Sequence, residues 1–330
     1  MDNSDQSDEV RGWETRAQLG RETRTQQSAS ERLRFQIRKL QRHPGFLFTK
    51  DALRFTKQLV PNAWRLATYR QRRLPAVVIV GAQKAGTTQL FANLIRHPRC
   101  FGGVRKELHY FSKRAGWPRA WYQSRFPLAR QVEAAGGICL EASPSYLPSP
   151  AALRRMHQLL PEAMIVVLLR DPVARAFSHY QHDKTRRRES RTFAEVVASA
   201  IAQHRGVIPA ELGWAQRPEA EPLLDCVARG YYALQLEVLL ACYPHEQVVI
   251  LDSADLFADT NAVCRQMFER LGVEPIEIPS EKIYNRGYYR ETIDPATAER
   301  LRVHYRAHDQ LLVELLGKQF RWMPADSAAA

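Results

Sequence analysis

The chain has 330 residues, 45% of them hydrophobic and 25% charged, with a formal net charge of +13. That balance excludes a fibrous or wholly disordered chain and supplies enough apolar side chains for one large core or two smaller ones. No run approaches the roughly 18 uninterrupted apolar residues of a membrane span, and the opening MDNSDQSDEV is acidic where a secretion signal is basic and then apolar. The expectation is therefore a soluble, cytoplasmic protein. Five scattered cysteines, with no C-x-x-C spacing, argue against a metal cluster or disulfide scaffold and for buried, reduced thiols.

In chain order, residues 1–30 are Ser, Gln, Thr, Asp and Arg with almost no large apolar side chains, a composition that predicts a disordered polar tail. Residues 31–73 read as a basic helical extension, with Leu33, Phe35, Ile37 and Leu40 along one imperfect apolar stripe. Residues 1–73 hold 16 basic and 8 acidic side chains, +8 of the net charge, so the extension either packs on the body or makes peripheral contact with an anionic membrane surface. The domain proper spans 74–324. It opens with AVVIV (76–80), a wholly apolar, β-branched run suited to a strand buried on both faces. Similar runs recur at 138–140, 164–169 and 248–251. Helical patterns lie at 88–97, 150–160, 172–182, 192–204, 231–243 and 255–271. Strands alternating with helices predict an α/β fold, a P-loop-like central parallel β-sheet flanked by helices on both faces in a single domain. Ligands in such sheets bind beyond the carboxyl ends of the strands, which points to the loops after Val80, Leu140 and Leu169. Residues 183–229 read as a long polar insertion, a lid or acceptor platform, beginning with the basic run KTRRRESR (184–191).

Two segments carry the chemistry. GAQKAGTT (81–88) follows the first strand and opens a helix, so several of its backbone N–H groups and the positive end of the helix dipole aim at one point, an anion site. A nucleotide triphosphatase needs lysine where Thr87 stands; here the lysine has moved inside the loop to Lys84. LRDPVARAFSHY (169–180) follows the third apolar run. Asp171 suits the helix cap and Pro172 the first helical position, so Arg170 leaves the strand end and Ser178 lies two turns into the helix. Arginine and hydroxyl on rigid elements can grip one phosphate. Asp171 read as a magnesium-binding carboxylate gives the alternative of a P-loop kinase or NTPase using Mg-ATP; a non-catalytic anion-binding relative is the other.

Together these segments resemble the 5′-phosphosulfate loop and the 3′-phosphate motif of the sulfotransferases that use 3′-phosphoadenosine 5′-phosphosulfate (PAPS). RKELHYF (105–111), EASPSY (141–146), GYYALQLE (230–237) and YNR (284–286) followed by 301–317 resemble further segments of the heparan-sulfate-type and bacterial members, in the same order, from Leu74 to Trp322. Leu108 and Ala142 depart from them, standing where a proline and often a lysine occur. The resemblance implies PAPS as donor and adenosine 3′,5′-bisphosphate as product. No metal is expected, since fixed cations can do the work of Mg²⁺ and no set of hard-oxygen ligands stands out, and no nucleic-acid partner, since the chain carries no zinc-finger spacing, basic heptad region or aromatic ribonucleoprotein motif. The resemblance places Gln83 to Thr88 on the 5′-phosphosulfate, and Arg170, Ser178, Arg286 and Tyr288 on the 3′-phosphate. Glu107 becomes the general base, Lys84 the cation on the bridging oxygen and His109 an alternative base or support. Lys106, Ser143, Ser145 and Tyr146 fall on the acceptor side. The acceptor would be a hydroxyl or amino group of a carbohydrate-like or small molecule, and Arg186, Arg187 and Arg188 would face an anionic acceptor or membrane surface.

Overall fold

A computed structural model describes residues 62–205, 213–215, 223–279 and 291–323. The expectations for 1–30, for most of 31–73, and for Tyr284, Asn285, Arg286 and Tyr288 lie outside the described residues. The chain divides into Met1–Ala67 and Thr68–Ala330. Of the first unit only 62–67 is described, and it is helical. Among the described residues no helix is long and apolar enough to cross a membrane.

The second unit is built on five strands, β1 (Val77–Gly81), β2 (Cys100–Gly102), β3 (Ile138–Ala142), β4 (Met164–Leu169) and β5 (Val248–Asp252), ordered β2-β3-β1-β4-β5. Every pairing is parallel, in keeping with strands that are apolar almost throughout, because a parallel sheet is covered on both faces. All five residues of β1 are buried. It lies between β3 and β4, so Val78 pairs with both Glu141 of β3 and Ile165 of β4, and the chain crosses from one side of β1 to the other between those two strands. The loops after β1, β3 and β4 therefore open side by side where the strand order reverses.

The helices are α1 (Thr87–Leu94), α2 (Arg119–Gln123), α3 (Ala129–Ala134), α4 (Pro150–Leu159), α5 (Pro172–Thr185), α6 (Phe193–His204), α7 (Tyr232–Cys242), α8 (Ser253–Ala258), α9 (Thr260–Arg270) and α10 (Pro295–Leu316). Short polar side chains set their starts. Ser149 accepts from Ala152 N and Asp171 from Val173 N, each with proline at the next position. Thr192 and Glu195 close a reciprocal capping box on α6. The single helix expected over 255–271 is two, because Asp259 accepts from Ala262 N and restarts the helix. The polar insertion expected over 183–229 is body at both ends: Phe193, Val196, Val197, Val227 and Ala228 all belong to the core. All five cysteines are free, and Cys100, Cys139, Cys226 and Cys264 are buried.

Candidate active site

The loop after β1 is fixed by close approach. A Cβ on Gly81 would fall 2.6 Å from the Leu147 side chain, so glycine lets this strand end lie against the loop after β3. Ala85 N then donates to Ala82 O at 3.2 Å, and the chain passes through left-handed backbone at Lys84 (φ 73°) and Gly86 (φ 93°) into α1. Three neighbours hold that turn. Ser253 Oγ lies 2.7 Å from both Ala85 O and Leu169 O, Arg170 Nη1 donates to Lys84 O at 2.9 Å, and Tyr232 Oη donates to Arg170 O at 2.8 Å. The guanidinium of Arg170 also lies over the Phe257 ring, 5.8 Å from its centroid.

Across the cavity stands the loop between β2 and α2. Glu107 N donates to Ala142 O at 2.9 Å and His109 N to Ser143 Oγ at 3.2 Å, which holds Glu107 (φ 64°) and His109 (φ 54°) in left-handed backbone. The Glu107 carboxylate receives Lys106 Nζ at 2.7 Å and faces His109 Nε2 at 3.5 Å, while His109 Nδ1 meets Ser145 Oγ at 2.7 Å. Burial opposes ionisation of Glu107, but the adjacent Lys106 charge and hydrogen bond, with His109 and Lys113, hold its carboxyl below the ordinary range. Burial pushes His109 below its ordinary value against the pull of Glu107, so at neutral pH the site holds a carboxylate beside a neutral imidazole.

One cavity of about 1010 Å³ unites the two sides. Gln83, Lys84, Gly86, Thr87, Thr88, Arg170 and Ser178 line it from the anion side, and Glu107, His109 and Ser145 from the other. Other expected residues stand behind it. Ala85 is fully buried and contributes backbone, and Lys106 reaches the cavity only through its bond to Glu107. Ser143 and Tyr146, expected to touch the acceptor, do not line the cavity: both are 0% exposed and spend their hydroxyls on the buried Glu141 carboxylate, at 2.8 and 2.7 Å. Arg186 and Arg188 line the rim, whereas Arg187 does not.

Several lining residues were not singled out from the sequence, among them Lys113, His179, His182, Arg229 and Phe257. His182 lies one turn beyond Ser178 on the same helical face, a spacing that could have found it, whereas His179, adjacent to Ser178, left no such signal. Burial, reinforced by Arg175 and Arg229, pushes His179 down to about 2. Asp171 spends its carboxylate on capping α5, and among the described residues no group of three His, Cys, Asp or Glu is placed to hold a metal ion.

A strand-to-helix anion cradle at the switch point of a parallel sheet, facing an ionised carboxylate across one cavity, is the layout of an α/β enzyme that binds an anionic ligand. Residues 74–293 match the family model described as Sulfotransferase domain, and the chain belongs to that family of enzymes. It is 30% identical over 213 residues to the human bifunctional heparan sulfate N-deacetylase/N-sulfotransferase 3, a match covering 62% of this chain and 23% of that protein, so the chain spans about a quarter of that relative. Against mouse heparan sulfate glucosamine 3-O-sulfotransferase 6 it is 25% identical over 277 residues, 76% of this chain and 75% of the relative. The crystal structure of a sulfotransferase from Alicyclobacillus acidocaldarius superposes with a TM-score of 0.58 and 27% identity, over 76% of this chain and 99% of that one.

Proposed function

We propose that the protein transfers the sulfuryl group of PAPS to a hydroxyl or amino group of a carbohydrate acceptor. The observation that carries this reading is that one cavity joins the Lys84, Arg170 and Ser178 cradle to Glu107 and His109 on its far side. The donor's chemistry fits the residues present. A nucleotide with phosphates at both ends of its ribose needs two cationic grips, and Lys84 with the α1 N-terminus supplies one while Arg170 with Ser178 supplies the other. The carbohydrate acceptor is supported by the heparan sulfate sulfotransferases among the relatives and by Lys113, Arg186 and Arg188, whose charge suits an acidic saccharide.

In this reading the protein positions an in-line attack and stabilises charge. Glu107, held ionised by Lys106, takes the proton of the attacking group. His109, neutral and hydrogen-bonded to Ser145, orients the Glu107 carboxylate and the acceptor. Lys84 neutralises charge growing on the leaving oxygen. Calorimetric titration with adenosine 3′,5′-bisphosphate beside Mg-ATP, on wild type and Arg170→Ala, tests the donor. Metal-independent binding of the bisphosphate, weakened at least about tenfold in the variant by loss of a charge-assisted bond, supports the reading. Binding of Mg-ATP alone would overturn it.

A further inference from the structure

Arg229 stands on the one-turn 3-10 segment Ala228–Gly230 that leads into α7. It joins the cavity wall beside Gln83, Lys84 and His179. Its Nη1 donates to Gln83 Oε1 in the loop after β1, and its Nε donates to Leu223 O at 3.1 Å. Among the described residues Nη2 has no partner and no carboxylate forms an ion pair with this guanidinium. Burial, with Arg175 close by, pushes its pKa down to about 10 against the pull of Asp225 and Asp183, which leaves it cationic at neutral pH.

The turn beneath it is fixed from several sides. Asp225 Oδ1 accepts from Val227 N and Ala228 N at 2.7 and 2.9 Å, while its Oδ2 meets His204 Nε2 at 2.9 Å. Tyr231 Oη lies between His204 Nδ1 (2.9 Å) and His304 Nε2 (2.7 Å), and Tyr305 Oη donates to Val227 O at 2.8 Å. A Cβ on Gly230 would fall 2.6 Å from that same Tyr305 hydroxyl, so only glycine lets the turn pack there. Such scaffolding holds a half-buried cation beside the buried Arg175, with Asp225 and Asp183 near enough to act on its charge but neither within ion-pair distance. A partly desolvated charge without a direct ion pair gains when an anion reaches it.

We infer that Arg229 is a binding residue for an anionic oxygen at the junction of donor and acceptor, gripping a sulfate or carboxylate oxygen with the free edge of its guanidinium while Gln83 fixes the other edge. The oxygen comes either from the sulfuryl group in transfer or from an acidic group on the acceptor. This inference rests on the function proposed above.

Arg229→Gln and Arg229→Lys separate the sources. For each variant we would measure the Kd for adenosine 3′,5′-bisphosphate, which lacks the sulfuryl group, the Kd for PAPS, and kcat and KM with a glucuronate-bearing heparosan tetrasaccharide and with neutral chitotetraose. The expected result is a bisphosphate Kd within about twofold of wild type, with a loss of about ten- to a hundredfold, the scale of a hydrogen bond to a charged group, in one other arm. A weakened PAPS Kd assigns the sulfuryl oxygen; a raised KM confined to the acidic acceptor assigns the acceptor. Arg229→Lys keeps the charge and restores part of the loss, which a purely structural role would not give, and it carries the test if the glutamine variant does not fold. Variants that match wild type in every arm, or that lose bisphosphate and PAPS equally, overturn the inference. Wild-type protein that binds no bisphosphate overturns the parent reading, and this one with it.

Discussion

Glu141, near the end of β3 and behind the cavity wall, provides a direct test of how the site is supported. Its carboxylate is 2% exposed and receives the hydroxyls of Tyr122, Tyr146 and Ser143, the last two at 2.7 and 2.8 Å. Burial pushes its carboxyl above the ordinary value of 4.5, and the three donated hydrogen bonds only partly oppose this. A carboxyl whose pKa is higher folded than unfolded adds stability that is complete below the unfolded value and is lost as pH rises through the folded one. Glu141→Gln keeps the shape and one acceptor oxygen, and a hydroxyl can rotate to receive the new N–H, so this variant should fold and lose that pH dependence. Glu141→Leu instead strands three buried hydroxyls at about 1–3 kcal/mol each, about 3–9 kcal/mol together. Set against a net stability of about 5–15 kcal/mol, that is a large fraction. At about 2 °C per kcal/mol, the leucine variant should melt about 6–18 °C below wild type. Activity should fall with it, because Ser143 Oγ also receives His109 N at 3.2 Å and Tyr146 Oη receives Tyr110 N at 2.9 Å. Scanning calorimetry of the three proteins near pH 5 and near pH 8 checks this. A leucine variant melting within about 2 °C of wild type, or a glutamine variant as unstable as the leucine one, would refute the argument.

Glu107→Gln should lower kcat by about 10²- to 10⁴-fold, the scale of a lost general base, while leaving bisphosphate affinity unchanged in calorimetry. Because Lys106 holds the Glu107 carboxyl below its ordinary range, the acidic limb of the wild-type kcat/KM profile should fall below about pH 4.5, and it should move up in Lys106→Met. Gly86→Ala asks an L side chain to adopt φ 93° with its Cβ 3.0 Å from Leu256 and 3.1 Å from Phe257. That strain of about 1–3 kcal/mol should appear as weaker bisphosphate binding and a lower melting temperature together; a variant with wild-type affinity would show that the loop does not need the left-handed turn.

The sheet was legible where burial is total. β1 and β4 read as apolar runs because both their faces are covered, and every residue of β1 is buried. β2 is a three-residue edge strand, CFG, too short to carry a pattern, and α2 and α3 have five and six residues with little room for a period. The break at Asp259 was hidden because apolar spacing runs on through it while a side-chain cap, which has no period, ends the helix. The anion side of the site was legible because its residues are contiguous in two loops. Arg229 was not, since it meets Gln83 across 146 residues of sequence. Ser143, Ser145 and Tyr146 look alike in the sequence because all three follow one strand end; which hydroxyls turn inward depends on the buried Glu141, which receives those of Ser143 and Tyr146 and leaves Ser145 to His109.

Lys84, Glu107 and His109 share a feature that links this packing to the chemistry. All three are non-glycine residues in left-handed backbone, at φ 73°, 64° and 54°, and among the described residues only Arg187 joins them. Each such residue costs on the order of 1–3 kcal/mol unless its surroundings over-determine it. The surroundings do so here through bonds from the sheet edge: Arg170 holds the Lys84 carbonyl, Ala142 O receives Glu107 N, and Ser143 Oγ receives His109 N. Two of those partners lie at the end of β3, and the third leaves the end of β4. The cation, the carboxylate and the imidazole of the proposed reaction are thus aimed by strain that the buried sheet holds in place, which is why loosening Glu141, a residue that touches no substrate, should be felt at the site.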